Sequence, residues 1–301
     1  MQKQLQYDEV LGGTARDYFQ LLKPRVMSLV VFTAFVGLVL APNSLHPVLG
    51  VAAILLITIG AGAAGALNQA LEGDIDALMP RTKLRPVARG VIKRQDALAF
   101  GLVLSFGAVM MMGVFVNWLA AFLLGFTIFF YAVIYTLWLK PSTPQNIVIG
   151  GAAGALPPVI GWACVENSLS FEPLILFAII FLWTPPHFWA LAILRKSEYA
   201  PTRLPMLPLT HGDRATAKQC FFYALLLFLC SLLPIYFGMG GVVYLVAAPL
   251  LGVVFVFYAW RLWHGVEGKR NYYARALFRY SILYLFLVFA LLLAPFFVSL
   301  L

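Results

Sequence analysis

Charged residues are scarce in this chain of 301 residues, at 11% of the composition, while hydrophobic residues make up 62%. The mean hydropathy is +0.90. Several uncharged tracts are long enough to cross a bilayer, which takes roughly 20 mostly apolar residues. This composition excludes an ordinary soluble domain. It predicts an all-α polytopic membrane protein.

Cysteine is also rare, and the N-terminus lacks the features of a cleavable signal. Cys164, Cys220 and Cys230 show no CxxC spacing, which argues against a disulfide framework and against a thiolate metal site. Residues 1–13 are mainly polar, and the first apolar run follows Lys23 and Arg25. We therefore expect the first spanning helix itself to direct membrane entry.

Breaks in the uncharged tracts divide the chain into nine predicted transmembrane helices. The breaks within these tracts fall near positions 41–43, 117, 166–172 and 238–241, where proline, asparagine, glycine or acidic residues interrupt the apolar pattern. We predict one nine-helix domain over residues 23–301, preceded by an N-terminal arm of residues 1–22. The loops at about 68–95 and 195–218 are the candidates for chemistry.

The basic residues predict the orientation of the bundle. All 21 Lys and Arg residues lie either in residues 1–25, at or before the start of the first predicted helix, or after the second, fourth, sixth and eighth predicted helices. Because Lys and Arg in short loops stay on the cytoplasmic side, we expect a cytoplasmic N-terminus and an outside C-terminus, most simply in a bacterial inner membrane. The net charge of +9 then faces anionic lipid headgroups, and nucleic-acid binding need not be invoked.

The first candidate loop places three acids before four bases between residues 68 and 89. If the segment is helical through residue 79, Asn68, Glu72 and Asp76 recur every four residues on one face, while Asp74 points elsewhere. Like charges at this spacing repel, which favours a counter-ion, and a hard divalent cation such as Mg²⁺ suits carboxylate and amide oxygens. A solvated turn in which the acids pair with the bases is the alternative, and the spacing alone leaves it open.

Basic residues near these acids could bind an anion such as a diphosphate. Arg81, Lys83 and Arg85 follow the acids, and an arginine can bind phosphate in a bidentate manner. Lys140, after the fourth predicted helix, is either a phosphate contact or an interfacial side chain that reaches the headgroups. Some of these bases could serve only as cytoplasmic anchors.

The second candidate loop offers Glu198, Tyr199 and Arg203. Glu198 could hold a second metal ion or the same diphosphate from the opposite side. Alternatively, it forms a surface ion pair with Lys196 or Arg203. The sequence leaves both interpretations open.

His187 lies inside the sixth predicted helix, eight residues before Arg195 and directly after Pro185 and Pro186. Prolines inside a helix should break or kink it and free carbonyl groups. An ionisable side chain at such depth is a functional candidate, although a lone histidine among aromatic residues can equally be a packing residue.

A metal and basic residues at the cytoplasmic end of an apolar, aromatic-rich bundle suit a prenyl diphosphate. Cations neutralise the leaving diphosphate so that the allylic C–O bond ionises. The aromatic interior would shield the allylic cation from water until an acceptor arrives.

Several motifs resemble one known family over nearly the whole chain. The pattern Asn68-x3-Glu72-x-Asp74-x-Asp76, followed by Met79-x-Arg81-Thr82-x2-Arg85-Pro86, resembles the first aspartate-rich motif of the UbiA-type intramembrane prenyltransferase superfamily. Its form is similar to that of the protohaem IX farnesyltransferase branch. Further matches lie at residues 18–29, 143–146, 150–161 and 183–208.

The resemblance implies a nine-helix bundle around a central cavity open to the cytoplasm, with farnesyl diphosphate as donor and haem b as acceptor. Haem b is here a substrate, not a cofactor, and the product haem O would serve terminal oxidases or pass to a haem A synthase. Mg²⁺ would bind at Asn68, Glu72 and Asp76. Arg81 and Arg85 or Lys83 would clamp the diphosphate, with Lys140 and Arg203 as further candidate contacts. Glu198 and Tyr199 would complete the catalytic set, and His187 is a candidate haem ligand. The family usually has Asp where this chain has Glu198.

Two other functions remain open at the level of sequence. A prenyltransferase acting on an aromatic or quinone precursor would use the same donor chemistry, although the second DxxxD pattern of such relatives is missing. A membrane transporter is the alternative from another class, but alternating access would favour polar groups near the midplane, whereas the charges here lie in two loops.

Overall fold

The computed structural model of the chain describes residues 12–298, which fold into helices joined by turns, with no strand in that range. The first half of the predicted N-terminal arm, residues 1–11, and the C-terminal residues 299–301 lie outside the described residues. The predicted all-α class is confirmed.

Within residues 12–298, nine long helices follow one another at the predicted positions. They are α1 Pro24–Leu40, α2 Pro47–Leu71, α3 Arg94–Phe115, α4 Trp118–Ser142, α5 Asn146–Glu166, α6 Phe171–Leu194, α7 Gly212–Tyr236, α8 Gly241–His264 and α9 Arg270–Phe296. Within the described part, eight of them are long and apolar enough to span a membrane, and α1, with an apolar stretch of Met27–Leu40, is shorter. The described residues thus support eight spans, and the predicted count of nine stays a prediction that depends on α1.

Short helices cluster in the two loops that the sequence singled out and before α1. They are Ala15–Leu21, Gly73–Leu78, Lys196–Tyr199, the 3₁₀ turn Ala200–Thr202, and Leu207–Thr210. Gly73–Leu78 packs against Ala200–Thr202. The first and second loops thus meet at the same end of the bundle.

The predicted turns form where helix caps and polar contacts stabilise them. Asn117 accepts a hydrogen bond from the backbone N–H of Ala120 at 2.8 Å, as an N-cap residue does. Its side-chain amide also donates to the carbonyl of Ala163 at 2.8 Å, which ties the start of α4 to α5. At the same end, the amide of Asn43 donates to Glu166 at 2.8 Å and joins the α1–α2 turn to the end of α5.

Glycines bring α1 and α5 into close contact. A Cβ added at Gly37 would lie 2.0 Å from the carbonyl oxygen of Pro158, and one at Gly161 would lie 2.0 Å from that of Ala34. Small residues allow such a close approach in membrane bundles. There, van der Waals packing between helices takes the place of the hydrophobic effect as the force that holds them together. This contact fixes α1, and with it the segment before α1, against the rest of the bundle.

Near the candidate site, one helix departs from regular α geometry and another contains two internal prolines. The part Phe130–Leu139 of α4 is a π-helix, a rare form that is frequent at functional sites. In α6, Pro185 and Pro186 lie inside an unbroken helix. The helix break that the sequence predicted at these prolines therefore does not occur. Proline removes two backbone donors there, and neighbouring helices sustain the element.

Candidate active site

The three predicted metal-face residues are buried together, although the helix that carries them is interrupted. α2 ends at Leu71, Glu72 has non-helical backbone angles, and a separate short helix runs over Gly73–Leu78. The predicted continuous helix is therefore wrong at Glu72. The backbone N–H of Glu72 still donates to Asn68 O at 3.0 Å, and that of Asp76 to Glu72 O at 2.8 Å. The four-residue register survives the bend.

Asn68 is 2% exposed, and its side chain forms hydrogen bonds with two residues from distant parts of the chain. Its Oδ1 accepts a hydrogen bond from Lys23 Nζ at 2.5 Å. Its amide donates to Thr136 Oγ1 at 3.0 Å, and Thr136 in turn donates to the carbonyl of Tyr131 at 2.8 Å. The π-helix of α4 thus positions Asn68 through Thr136.

Local structure explains why Lys23 reaches this point. Gln69 donates to the carbonyls of Gln20 and Leu21, each at 3.1 Å, and holds the short helix Ala15–Leu21 against α2. Lys23 then adopts a left-handed backbone conformation with φ of 53° before Pro24 starts α1. This turn reverses the chain and aims the lysine at Asn68.

Glu72 and Asp76 each form a buried or half-buried ion pair with a base. Lys140 Nζ donates to Glu72 Oε1 at 2.5 Å. Arg85 Nη1 lies 2.8 Å and 2.7 Å from the two carboxylate oxygens of Asp76. The carboxylates are each about 5% exposed. The acids therefore do form ion pairs with basic side chains, which the sequence left open, but these pairs are buried rather than in a solvated turn.

The electrostatics of this cluster show how closely its members lie. The pKa of Lys23 is lowered to about 7, mainly by burial and next by repulsion from Arg85, while attraction by Glu72 opposes the shift. Lys140 and Asp76 also act on Lys23. Three bases and two acids therefore share one site, which is suited to an anion that brings its own negative charge.

The second loop contributes Glu198 and Tyr199 beside the first. Arg195 donates to Glu198 Oε1, while Oε2 of the same carboxylate is buried without a hydrogen-bond partner. The partner of Glu198 is thus Arg195 rather than the predicted Lys196 or Arg203. Tyr199 interacts electrostatically with Tyr135 of α4, which also interacts with Glu72.

Other predicted bases lie away from this cluster. Arg81, Lys83 and Arg203 are exposed, and within the part of the chain that the structure describes none of the three forms an ion pair. Arg89 instead pairs with Asp17 at 2.9 Å. Hydrogen bonds from Thr14 are the main cause that lowers the pKa of Asp17. This pair is structural, since it attaches the first loop to the helix Ala15–Leu21.

His187 is packed between aromatic rings in α6 and α9. Its ring stacks on Trp183 at 4.2 Å and on Phe278 at 4.8 Å between centroids. Its Nδ1 lies 2.6 Å from Ser281 Oγ. The ring is held rigidly with Nδ1 engaged, which leaves Nε2 as the nitrogen able to meet a ligand.

The donor set at Asn68, Glu72 and Asp76 fits Mg²⁺. Carboxylate and amide oxygens are hard ligands, and Mg²⁺ is typically bound by one or two carboxylates together with substrate phosphates and water. Among the described residues no group of three or more His, Cys, Asp and Glu side chains forms a full protein cage. The orphaned Glu198 Oε2 is a further oxygen of the same kind.

Sequence reasoning missed Lys23, Thr136 and the tyrosines of the π-helix as members of the site. Tyr131 and Tyr135 stack with centroids 5.6 Å apart. The position of Lys23, a basic residue directly before the proline that starts α1, could have indicated its role. Thr136 had none, because its role depends on a contact across 68 residues of sequence.

Comparisons with known proteins give a consistent result. The model of the UbiA prenyltransferase family matches residues 30–284. A Brucella ovis protein named protoheme IX farnesyltransferase is 57% identical over 282 residues, which cover 93% of this chain and 90% of that protein. A Rhizobium etli protein of the same name is 56% identical over 283 residues and covers 94% and 90%.

Solved structures share the fold at low sequence identity. A digeranylgeranylglyceryl phosphate synthase structure aligns with a TM-score of 0.77 at 16% identity, covering 93% of this chain and 97% of that one. A UbiA homologue from Archaeoglobus fulgidus bound to DMAPP and Mg²⁺ aligns with a TM-score of 0.66 at 16% identity, covering 92% and 99%. At these identities the likeness shows the fold alone.

Proposed function

Because the chain belongs to the UbiA prenyltransferase family, we propose that it transfers the farnesyl group of farnesyl diphosphate to a vinyl group of haem b. Water adds in the same reaction and the product is haem O. The observation that carries this proposal is the 57% identity, over 93% of the chain, to a protein named protoheme IX farnesyltransferase. The product would serve terminal oxidases or pass to a haem A synthase.

The buried cluster supports the donor half of the reaction. Lys23, Arg85 and Lys140 would transfer contacts from their present partners to the diphosphate, because its oxygens carry more charge than the acids alone. Bound Mg²⁺ would neutralise the leaving diphosphate. Asn68, Glu72 and Asp76 would hold this ion, with Glu198 on the opposite side. The outer bases Arg81, Lys83 and Arg203 would act at most on entry of the substrate.

The transfer itself balances without a redox partner. The allylic C–O bond breaks and its electron pair leaves with the diphosphate. The haem vinyl group attacks the allylic carbon, a water molecule adds to the carbon next to the ring, and the water loses a proton. Tyr131 and Tyr135, stacked beside Asn68 and Glu72, would stabilise the allylic cation through their ring faces and exclude water from it. Tyr199 would close the site from the second loop.

His187 is the candidate for binding the haem iron. Its contact with Ser281 fixes the ring and leaves Nε2 for a ligand, as second-shell partners do for metal-bound histidines. An altered haem absorption spectrum and weaker haem binding in His187→Ala would support this role. An unchanged spectrum and affinity would contradict it.

Acceptor choice is the direct test of the proposal. Purified protein is incubated with farnesyl diphosphate, Mg²⁺ and either haem b or 4-hydroxybenzoate, and products are identified by mass. We expect a farnesylated haem, and its formation should stop when a chelator removes the metal. A product from the benzoate alone would contradict the haem acceptor and favour the quinone-type alternative. The names of the relatives favour haem, and the transporter alternative has no support among them.

A further inference from the structure

A second cavity lies between the basic ends of α8 and α9, apart from the residues of the candidate active site. It measures about 300 Å³ and is lined by Phe257, Tyr258 and Arg261 of α8 and by Tyr272, Tyr273 and Ala276 of α9. We call it the α8–α9 groove. Topology predicted from the basic residues puts this end on the cytoplasmic side. Aromatic side chains are typical of that membrane interface.

Arg261 is held in place at the groove by its neighbour on α9. Its Nη2 donates to the hydroxyl of Tyr273 at 3.0 Å, and its guanidinium lies 5.0 Å from the centroid of the same ring. Arg261 is nevertheless exposed. A guanidinium fixed by one hydrogen bond and a ring face presents its remaining N–H donors to a ligand without losing much side-chain entropy.

Helical spacing adds a second arginine to the same face. Tyr272, Ala276 and Arg279 are separated by four and three residues and so line one face of α9. Arg279 is exposed. In the part of the chain that the structure describes, neither Arg261 nor Arg279 forms an ion pair with a carboxylate. Arg261 at the groove and Arg279 beside it on the same face of α9 thus carry charges that no acid of the described chain pairs with.

Arg279 lies deeper along the bundle than Arg261. Its neighbour Tyr280 packs on Tyr258 with ring centroids 5.2 Å apart, and Tyr258 is nearly one turn further from the end of α8 than Arg261. Arg279 thus lies about one turn deeper, next to the uncharged tract that begins at Ser281. A charged side chain at that depth faces a partner or extends to the headgroups.

An exposed apolar stripe continues from the groove towards the membrane interior. Leu250, Val253 and Phe257 are 64%, 57% and 52% exposed, and with Arg261 they are spaced by three or four residues along one face of α8. A ligand that matches the whole surface has an anionic head at the arginines and a hydrocarbon chain along the stripe.

We propose that the α8–α9 groove binds an anionic phospholipid of the cytoplasmic leaflet. Its phosphate contacts Arg261 and Arg279, and one acyl chain lies on the Leu250–Phe257 stripe. Basic pockets between transmembrane helices on the cytoplasmic side are the chemistry that recognises such headgroups. A free phosphate ion would leave the apolar stripe unused.

Native mass spectrometry of the full chain in mixed micelles tests this site. The probes are phosphatidylglycerol and phosphatidylcholine with the same acyl chains, and retained lipid is counted for each. One basic residue near the surface is worth about fivefold in affinity for an anionic lipid, so the parent should prefer phosphatidylglycerol by roughly 20-fold. Arg279→Gln should lower the preference about fivefold, and Arg261→Gln/Arg279→Gln should nearly abolish it.

Arg94→Gln is the matched control, because it removes an exposed base from the same predicted side but outside the groove. It should keep the parent's preference. Tyr273→Phe, which frees Arg261 but keeps every charge, should lower the preference partly and gives a second test if the double variant fails to fold. An unchanged preference in Arg279→Gln, an equal loss in Arg94→Gln, or displacement of the lipid by millimolar inorganic phosphate would each overturn the proposal.

Discussion

Asp74 and Asp76 are two residues apart and have opposite environments. Asp76 is 4% exposed and paired with Arg85, while its backbone carbonyl accepts a hydrogen bond from Thr82 at 2.9 Å. Asp74 is exposed and lines a separate cavity of about 340 Å³ with Lys93 and Arg94. The two acids therefore form a natural comparison for the metal assignment.

We predict that Asp76→Asn lowers kcat by about 100-fold or more, because an electrostatic group at the reacting centre is lost. The side chain keeps its size, so the protein should still insert and fold. The matched control is Asp74→Asn, which removes the same charge from the exposed face and should retain near-normal turnover. Steady-state rates and size-exclusion profiles of both variants provide the measurement. Equal activities would refute the assignment of Asp76.

Lys23 gives a second prediction at this scale. Lys23→Met removes a cation that contacts Asn68 and that would bind the diphosphate, and a hydrogen bond to a charged group is worth about 1.5–3 kcal/mol. We expect the KM for farnesyl diphosphate to rise roughly tenfold or more, with a smaller change in the KM for haem b. Arg16→Gln, an exposed base in the preceding helix, should leave both values unchanged. A normal KM for the donor in Lys23→Met would exclude this role.

At the scale of elements, the π-helix of α4 and the α1–α5 contact decide where the site residues lie. The π-helix sets Thr136 and the two stacked tyrosines beside Asn68. The α1–α5 contact fixes the start of α1, where Lys23 lies. Lys140, directly after the π-helix, and Lys23, directly before Pro24 of α1, enter the cluster from these elements.

The close contact of α1 and α5 predicts a loss of stability when it is filled. Gly161→Ala would place a Cβ 2.0 Å from the carbonyl of Ala34, and overpacking of this kind costs about 1–3 kcal/mol. The apparent Tm in detergent should fall by roughly 5 °C or more. Gly154→Ala on the same helix meets nothing within 4 Å and should keep the Tm. Equal melting temperatures would show that α1 and α5 do not approach this closely.

Sequence patterns predicted the helices well because these depend on local composition. Uncharged tracts, Asn117 and the glycines at 238–241 were sufficient to place the turns. The bend at Glu72 was not predictable, since two helices still share the four-residue register across it. The partners of Asn68 and Glu72 come from 45 to 68 residues away, and no local pattern specifies such pairs. His187 shows the same limit, because its packing depends on α9.

At the scale of the whole molecule, the distribution of charge predicts which end faces the cytoplasm. All the bases described at the candidate active site and at the α8–α9 groove lie at the end where the basic loops meet. Acceptor, donor and lipid would therefore all engage the same side of the membrane.

Cysteine labelling tests this orientation. Ser44→Cys and Ser197→Cys are the same substitution at exposed positions, in a turn predicted to lie outside and in the second candidate loop, which is predicted to be cytoplasmic. The native cysteines are buried and should stay unlabelled. A membrane-impermeant maleimide added to intact cells should label the variant at 44 and not that at 197, and the reverse pattern would contradict the predicted topology.

Mass spectrometry of cellular haem tests whether the chain farnesylates haem b. Cells without their own haem farnesylation are made to express the chain or its Asp76→Asn variant, and extracted haems are identified by mass spectrometry. Cells with the parent chain should contain a haem whose mass has grown by one farnesyl group plus one hydroxyl group, and cells with the variant should contain only haem b. Unmodified haem b in both, at equal protein levels in the membrane, would contradict it.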